Sequence, residues 1–472
     1  MDSLTERARK DLACLNFPPA NWVPPVAGPD GKPMLDALVV GGGMCGQTAA
    51  FALLREGVRN LRCVDRAPYG REGPWATFAR METLRSPKHL TGPDLGVPSL
   101  SYRAWHEAKY GTPSWEAMHK IPRLDWAAYL LWVRETAGLP VENDVEMVSL
   151  NLHGHFIEAK TKTSTLYARK VVLALGREGS GAPRWPEFAS FDPSRRGAGV
   201  FHSADDIDFS KFAGKRVGIL GAGSSAFDNA GEALEAGAKE VVMFARRPIL
   251  PQVNKSKWTA FPGFQLGYAA LEDARRWNFY TYIFSEQVPP PYESVLRCEK
   301  HKGFSILFSE GWKDIRQEEK IEVTTTKTSH RFDAVIVCTG FDVNLVDRPE
   351  IASFRDSIET WRLHAPAGEA EKHPEEARFP YLGDAFQLQG NAAGLGRVHL
   401  FNWGATMSHG ALAGDIPGLE TGARRLAQGI ARDLFLADSD LHRQRLLAHN
   451  EDELKPTKYF VNLSSRLRGN DG

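Results

Sequence analysis

Apolar residues along this chain gather in short runs that end on glycine, and the arrangement occurs twice. LDALVVGGGMCGQTAAFALLREGV, from Leu35, predicts a buried strand, a glycine turn and a helix with apolar positions at helical spacing. NLRCVD, from Asn60, predicts the next strand, and KVVLALG, from Lys170, a closing strand. The plan restarts at Lys215 with KRVGILGAGSSAFDNAGEALEAGA, continues with KEVVMFA from Lys239 and closes with DAVIVCTG from Asp333. RLDWAAYLLWVRETAGL, from Arg123, predicts an amphipathic helix stopped by Gly138 and Pro140. Residues 66–120 and 249–304 read as loop-rich, aromatic insertions. Residues 1–34 are proline-rich and without period, so an extended arm is expected there, and the tail RGNDG is expected to fray.

The two closing segments carry the repeat most clearly. IEAKTKTSTLYARKVVLALG runs from Ile157 to Gly176 and IEVTTTKTSHRFDAVIVCTG from Ile321 to Gly340, 20 residues each. Both read as Ile-Glu, a threonine-rich hairpin, a buried strand and glycine. Repeated order of this kind marks architecture. The expected fold is α/β: two Rossmann-like dinucleotide-binding domains, each with a β-meander, the second inserted into the first. The expected boundaries are an arm at 1–34, a FAD-binding domain beginning at 35–190, an NADPH-binding domain at 191–340, and a return to the first domain with a C-terminal helix at 341–472.

The glycine turns suggest what each half holds. Gly41, Gly43 and Gly46 fit GxGxxG around Met44 and Cys45. In that pattern the glycines serve a tight turn, close approach to a pyrophosphate and helix packing, with the helix start facing the phosphates. Asp65 lies 19 residues beyond Gly46, at the end of the next strand. Its carboxylate can accept both ribose hydroxyls and would repel a 2′-phosphate, so this half is expected to take FAD, with Arg66 and the backbone near Val145 beside the adenosine end. Gly221, Gly223, Ser224 and Ser225 belong to GxGxxA, and the strand that follows ends on Arg246 and Arg247, the former 25 residues past Gly221. Guanidinium forks suit a 2′-phosphate, so this half is expected to take NADPH.

Composition narrows the class. Among 472 residues, Lys plus Arg and Asp plus Glu are 58 each, so no net charge draws the chain to nucleic acid or an anionic membrane. No apolar run approaches the ~18 residues needed to span a bilayer, and the N-terminus has no signal-like apolar core. A cytoplasmic protein is expected, and a homo-oligomer is compatible with the sequence. Five scattered cysteines lack CxxC spacing, which argues against a redox dithiol and a zinc site. No metal is expected.

The chain after residue 35 resembles the class B flavoprotein monooxygenases, which comprise flavin-containing, Baeyer–Villiger and N-hydroxylating enzymes. GPW at 73–75 resembles their glycine–tryptophan segment, and IPRLDWAAYLLWV from Ile121 resembles the IPRxxFxxYLxW helix of ornithine and lysine N-hydroxylases. LRSP at 84–87 resembles their flavin-side loop, and CTGF at 338–341, with Thr339 and Gly340, resembles the ATGY linker. FNWGATMSHGALAGDIPG from Phe401 resembles the GxNxxTHGLSD segment, which places Asn402 and His409 as the catalytic candidates. The Baeyer–Villiger fingerprint is not met: Gly197 and His202-Ser203 resemble its centre, but the spacing is off by one and the tryptophan is absent.

The resemblance implies an NADPH-dependent monooxygenase whose C4a-hydroperoxyflavin, formed with O2, oxygenates the nitrogen of a small amine or hydroxylamine-like substrate. A sulfur nucleophile, Baeyer–Villiger oxidation and NADPH-dependent electron transfer to a partner stand as alternatives. Trp75, Met81 and Leu84 would lie towards the isoalloxazine. Gly176 and Asp384, the latter in YLGDAF, would also meet cofactor. The aromatic insertions 73–110 and 258–285 would wall the cavity. Asp415 is expected near the N-cap of a helix whose dipole faces the flavin.

Overall fold

The run Ala37–Val40 forms a strand buried along its whole length, as unalternating apolar runs do in parallel sheets. It pairs in parallel with Leu61–Val64 on one side and Val171–Leu173 on the other. Val141–Glu142 extends one edge and Val398–Leu400 the other, giving five parallel strands. The last of these comes from beyond the second repeat, so the chain returns to its first sheet. Helix Met44–Arg55 follows the central strand through the first glycine turn.

The second sheet repeats the plan. Arg216–Leu220 lies between Glu240–Ala245 and Ala334–Val337, with Phe304–Phe308 and Val200–His202 at the edges. Helix Ser224–Glu235 follows its central strand. Alternation along these strands divides the core in two. Val217, Ile219, Val241, Met243 and Ile336 pack with Phe227 and Ala230 of that helix. Leu220, Val242, Phe244, Val335 and Val337 face Ile315, Ile321, Val323 and Phe332.

Those last four belong to a three-stranded antiparallel meander, Trp312–Gln317, Ile321–Thr325 and Ser329–Phe332. Its twin is Met147–Leu152, Ile157–Thr161 and Thr165–Ala168. The duplication reaches single residues. Both meanders shift register at the start of their first strand, between Met147 and Ser149 and between Trp312 and Asp314. Both turn on a threonine: Thr161 Oγ1 accepts from Ser164 N at 2.9 Å, and Thr325 Oγ1 accepts from Thr328 N at 3.0 Å. The chain thus contains two Rossmann-like α/β halves, each with a meander.

Two connectors join the halves and run side by side. Arg184 N donates to Gly340 O, Asp342 N to Ala182 O and Asn344 N to Ser180 O, each at 2.9 Å. Arg184 Nε reaches Asp342 at 2.7 Å.

Two expectations give way. The N-terminal stretch is not extended throughout: Asp2–Cys14 is a helix that buries Leu4, Ala8 and Leu12, and Trp132 Nε1 donates to Thr5 Oγ1 at 3.0 Å. A four-residue recurrence of small apolar residues among charges was enough for one buried stripe. The insertions are also more helical than expected, with Tyr102–Tyr110 and Thr112–Ala117 in the first and Asp273–Glu286 and Tyr292–Glu299 in the second.

The computed structural model describes residues 1–89, 92–451, 453, 454 and 457. The RGNDG tail lies outside them. Met1–Ala431 forms one compact unit and Arg432–Gly472 another. The second holds the helix Ser439–Ala448, and in it Phe435 stacks on His442 at 5.0 Å. No helix among the described residues is long and apolar enough to cross a membrane.

Trp126 is fully buried between Tyr102 and Tyr129, with ring centroids 5.8 and 5.1 Å away. Trp126→Ala should cost about 3–5 kcal/mol through lost contacts and a residual cavity. Chemical denaturation would show this as an earlier unfolding midpoint, and an unchanged midpoint would contradict the packing described.

Candidate functional site

Each half turns sharply where its central strand meets its helix. Gly41 has φ +104° and Gly221 φ +111°. A Cβ on Gly41 would meet Ala174 O at 2.5 Å, and one on Gly221 would meet Cys338 O at 2.6 Å. Only glycine satisfies both conditions. The third position differs: a Cβ on Gly46 would lie 1.7 Å from Gly41 O, whereas Ala226 is tolerated in the second half.

In front of these turns the structure is open. A Cβ on Gly43 would meet nothing nearer than Gly73 Cα at 3.7 Å, and one on Gly223 nothing within 4 Å. Gly43 and Gly223 directly precede the helices that begin at Met44 and Ser224. Unfilled glycine faces at helix starts suit a pyrophosphate, so both turns pass the test for a dinucleotide.

The ribose-reading positions differ in charge. Asp65 is half-buried, and its oxygens accept from Gly42 N at 2.6 Å and Ala67 N at 2.7 Å. Each oxygen keeps a second acceptor position. Burial raises its pKa, against the lowering effect of the two amide bonds. Val145 N donates to Asp65 O at 2.9 Å, which brings Val145 to this position. Arg66 is exposed and pairs with Glu178 at 3.0 Å, close along the chain to Gly176. Arg246 and Arg247 are exposed at the end of their strand and form no ion pair among the described residues. Arg247 donates to Ser285 O at 3.4 Å.

The flavin-side loop is fastened by arginines. Arg123 Nε donates to Met81 O at 2.9 Å, and its Nη1 bonds Trp75 O. Leu84 is buried and its N donates to Ile121 O at 2.8 Å. Arg80 donates to Ser203 O at 2.8 Å and Asp205 O at 2.7 Å, which ties this loop to the second half. Thr339 Oγ1 bonds Arg184 O, so Thr339 and Gly340 build the connector.

The segment after Phe401 borders a partly open cavity of about 70 Å³. Phe264, Tyr280, Phe284 and Trp403 wall it, with Thr406, Gln265 and Asp415 as polar groups. Cys45, in the first turn of helix Met44–Arg55, meets the Gly414 amide and the charge of Asp415, and burial lifts its thiol to about 12. The cavity therefore adjoins the first glycine turn. Sequence reasoning found the two insertions but not Arg177, which lies over the Trp403 ring at 4.0 Å. No periodic pattern marks a single arginine after a glycine.

The structure places four of the expected groups as follows. Asn402 is fully buried; its Oδ1 accepts from Ser180 Oγ and Gly404 N, both at 2.9 Å, while its Nδ2 has no partner. It shapes the turn after strand Val398–Leu400. His409 offers no free nitrogen as a catalytic group. Its Nε2 donates to Gly383 O at 2.9 Å and its Nδ1 accepts from Arg425 at 3.2 Å, a tautomer set by those partners. It presents the cavity with ring surface and stacks on Phe386 at 4.0 Å. Asp384 is exposed in an ordinary turn, where its charge acts on Arg425. Asp415 stands at the N-cap of the turn Ile416–Gly418 that opens the last long helix, as expected, but its side chain makes no capping bond; its carboxylate faces Arg177 at 4.0 Å.

Residues 38–260 match the family model described as pyridine nucleotide-disulphide oxidoreductase. The five cysteines are unpaired, so the likeness concerns the dinucleotide framework. The chain is 37% identical over 462 residues to an FAD-dependent urate hydroxylase of Xanthomonas campestris pv. campestris, covering 95% of this chain and 96% of that one. Among solved structures, an ornithine hydroxylase from Pseudomonas aeruginosa superposes with TM-score 0.65 at 15% identity, covering 85% of this chain and 100% of the other. An L-lysine 6-monooxygenase from Pseudomonas syringae gives 0.65 at 17%, covering 84% and 99%. These two likenesses are of fold.

Burial, with the Arg425 and Arg276 charges adding, lowers the pKa of His409 from 6.5 to about 3. The unfolded chain takes up this proton below pH 6.5 and the folded chain does not until about 3. Folding stability should therefore fall as pH drops through that window. His409→Gln should flatten this fall in denaturation series run at successive pH values; an identical slope would contradict a neutral buried imidazole.

Proposed function

We propose that this chain, which belongs to the same family as the Xanthomonas FAD-dependent urate hydroxylase, hydroxylates a flat, electron-rich nitrogen heterocycle of the urate class. It is a flavoprotein monooxygenase of class B that uses FAD and NADPH. The observation that carries the substrate reading is the aromatic cavity beside the first glycine turn, with a guanidinium at its rim. When bound and reduced by NADPH, FAD supplies oxygen from O2 in electrophilic form to the electron-rich ring.

The chain's own residues do the rest. Gly41–Gly46, Asp65 and Val145 hold the adenosine end of FAD, while Gly221–Ala226 with Arg246 and Arg247 hold NADPH. Phe264, Tyr280, Phe284 and Trp403 keep water from the reacting centre, where a reactive oxygen donor would otherwise be wasted. Little acid–base machinery is needed, which agrees with a saturated, neutral His409. Oxygenation of an amine nitrogen, as implied by the resemblance to N-hydroxylases, is less well served. An ammonium group entering beside Asp415, the carboxylate in the cavity wall, would also meet the like charge of Arg177, 4.0 Å from that carboxylate.

Urate should stimulate consumption of NADPH and O2 in equal amounts, with one oxygen atom added to the product by mass analysis. Absence of both effects, or product from amines alone, would remove the urate-class reading. Replacing Arg246 and Arg247 with alanine should raise KM for NADPH by about tenfold or more while sparing KM for NADH, since charge-assisted bonds to the 2′-phosphate are lost. Equal use of NADH and NADPH by the unaltered enzyme would refute that assignment.

A further inference from the structure

Two guanidiniums lie within electrostatic reach of each other, and one of them rests on a wall of the cavity. Arg177 follows the closing strand Val171–Leu173 of the first half, and Arg85 lies in the flavin-side loop. Arg85 is engaged: it reaches the buried carboxylate of Asp228 at 3.1 Å, which also accepts from Ser294 Oγ at 2.8 Å. Arg177 is not closed in this way. Its nearest carboxylate, Asp415, stands at 4.0 Å, close enough to attract but beyond hydrogen-bond distance. Arg177 keeps 54% of its side-chain surface exposed and Asp415 43%, so both are accessible to a ligand. Desolvation lowers the pKa of Arg177; Asp415 opposes the shift and Arg85 adds to it. A bound anion would offset both the desolvation and the repulsion by direct attraction.

Trp403 fixes the guanidinium. The Arg177 guanidinium carbon lies 4.0 Å from the centre of the indole ring, a cation–π contact that restrains it. Trp403 and Asp415 are themselves walls of the cavity. One rim therefore presents a planar cationic donor and a carboxylate acceptor beside aromatic walls.

We propose that Arg177 and Asp415 read one edge of a flat, anionic heterocycle, an imide or ureide edge on which carbonyl oxygens and N–H groups alternate. Arg177 takes the delocalised oxyanion with its fork and Asp415 accepts the neighbouring N–H. The stack on Trp403 means that little side-chain freedom is lost on binding. A cationic amine is repelled by Arg177, so the same pair excludes the substrates of amine oxygenases. This assignment rests on the urate-class reading given above.

The test uses the FAD-loaded protein, with urate as the probe, in calorimetric titration without NADPH and then in turnover. Arg177→Met should weaken urate binding by about tenfold or more, and raise KM for urate more than it lowers kcat. Arg177→Lys should recover part of the loss, because charge returns without the fork. Unchanged urate affinity in Arg177→Met would overturn the assignment while leaving the hydroxylase reading in place. Equal loss in both variants with a lowered melting temperature would also overturn it, since it would mark Arg177 as structural. Failure of the unaltered protein to bind or hydroxylate urate would overturn the urate-class reading and the assignment with it.

Discussion

A carbonyl oxygen occupies the place of a side chain at the first glycine of each turn. Ala174 O stands where a Cβ of Gly41 would be, and Cys338 O where one of Gly221 would be. The closing strand of each half can therefore lie directly beside the central strand while the chain turns away above it. Both sheets end in an open edge faced by a helix start, and dinucleotide phosphates have a place in each. The rest of the molecule is arranged around these two edges. The connectors at 180–185 and 339–344 hold the halves together, and the returning strand Val398–Leu400 brings the segment that borders the cavity.

On that doubled frame, opposite charges stand at equivalent strand ends, and we propose that they divide the labour. Asp65 ends one reading strand and Arg246-Arg247 the other. A carboxylate already bonded to two amides is a fixed acceptor for hydroxyl groups, and exposed guanidiniums without an ion pair are available to a phosphate. The chemistry at the centre asks for water exclusion and orientation rather than proton transfer. The imidazole that borders the cavity fits this: burial lowers His409 to about 3.

Much of the framework could be read from the chain because it depends on local rules applied twice. Period, glycine spacing and strand-end charge are short-range signals, and their repetition made each copy support the other. The 20-residue closing segments Ile157–Gly176 and Ile321–Gly340 even share a threonine turn. What stayed hidden depends on tertiary partners. Asp2–Cys14 is a helix on the strength of three buried residues that only a neighbour can cover. The partners of His409, Gly383 and Arg425, lie 26 and 16 residues away along the chain, and the charge of Asp384 acts on Arg425 of a later helix. Arg177 gains meaning only from Trp403 and Asp415, both distant along the chain.

The central claim is that opposite charges at equivalent strand ends select different dinucleotides. It is tested most directly by a crystal structure of the protein with FAD and NADP⁺ bound. The predicted result is the adenosine ribose of FAD on the carboxylate of Asp65 and the 2′-phosphate of NADP⁺ held by Arg246 and Arg247. A 2′-phosphate turned away from both arginines, or FAD seated on the second glycine turn, would contradict it.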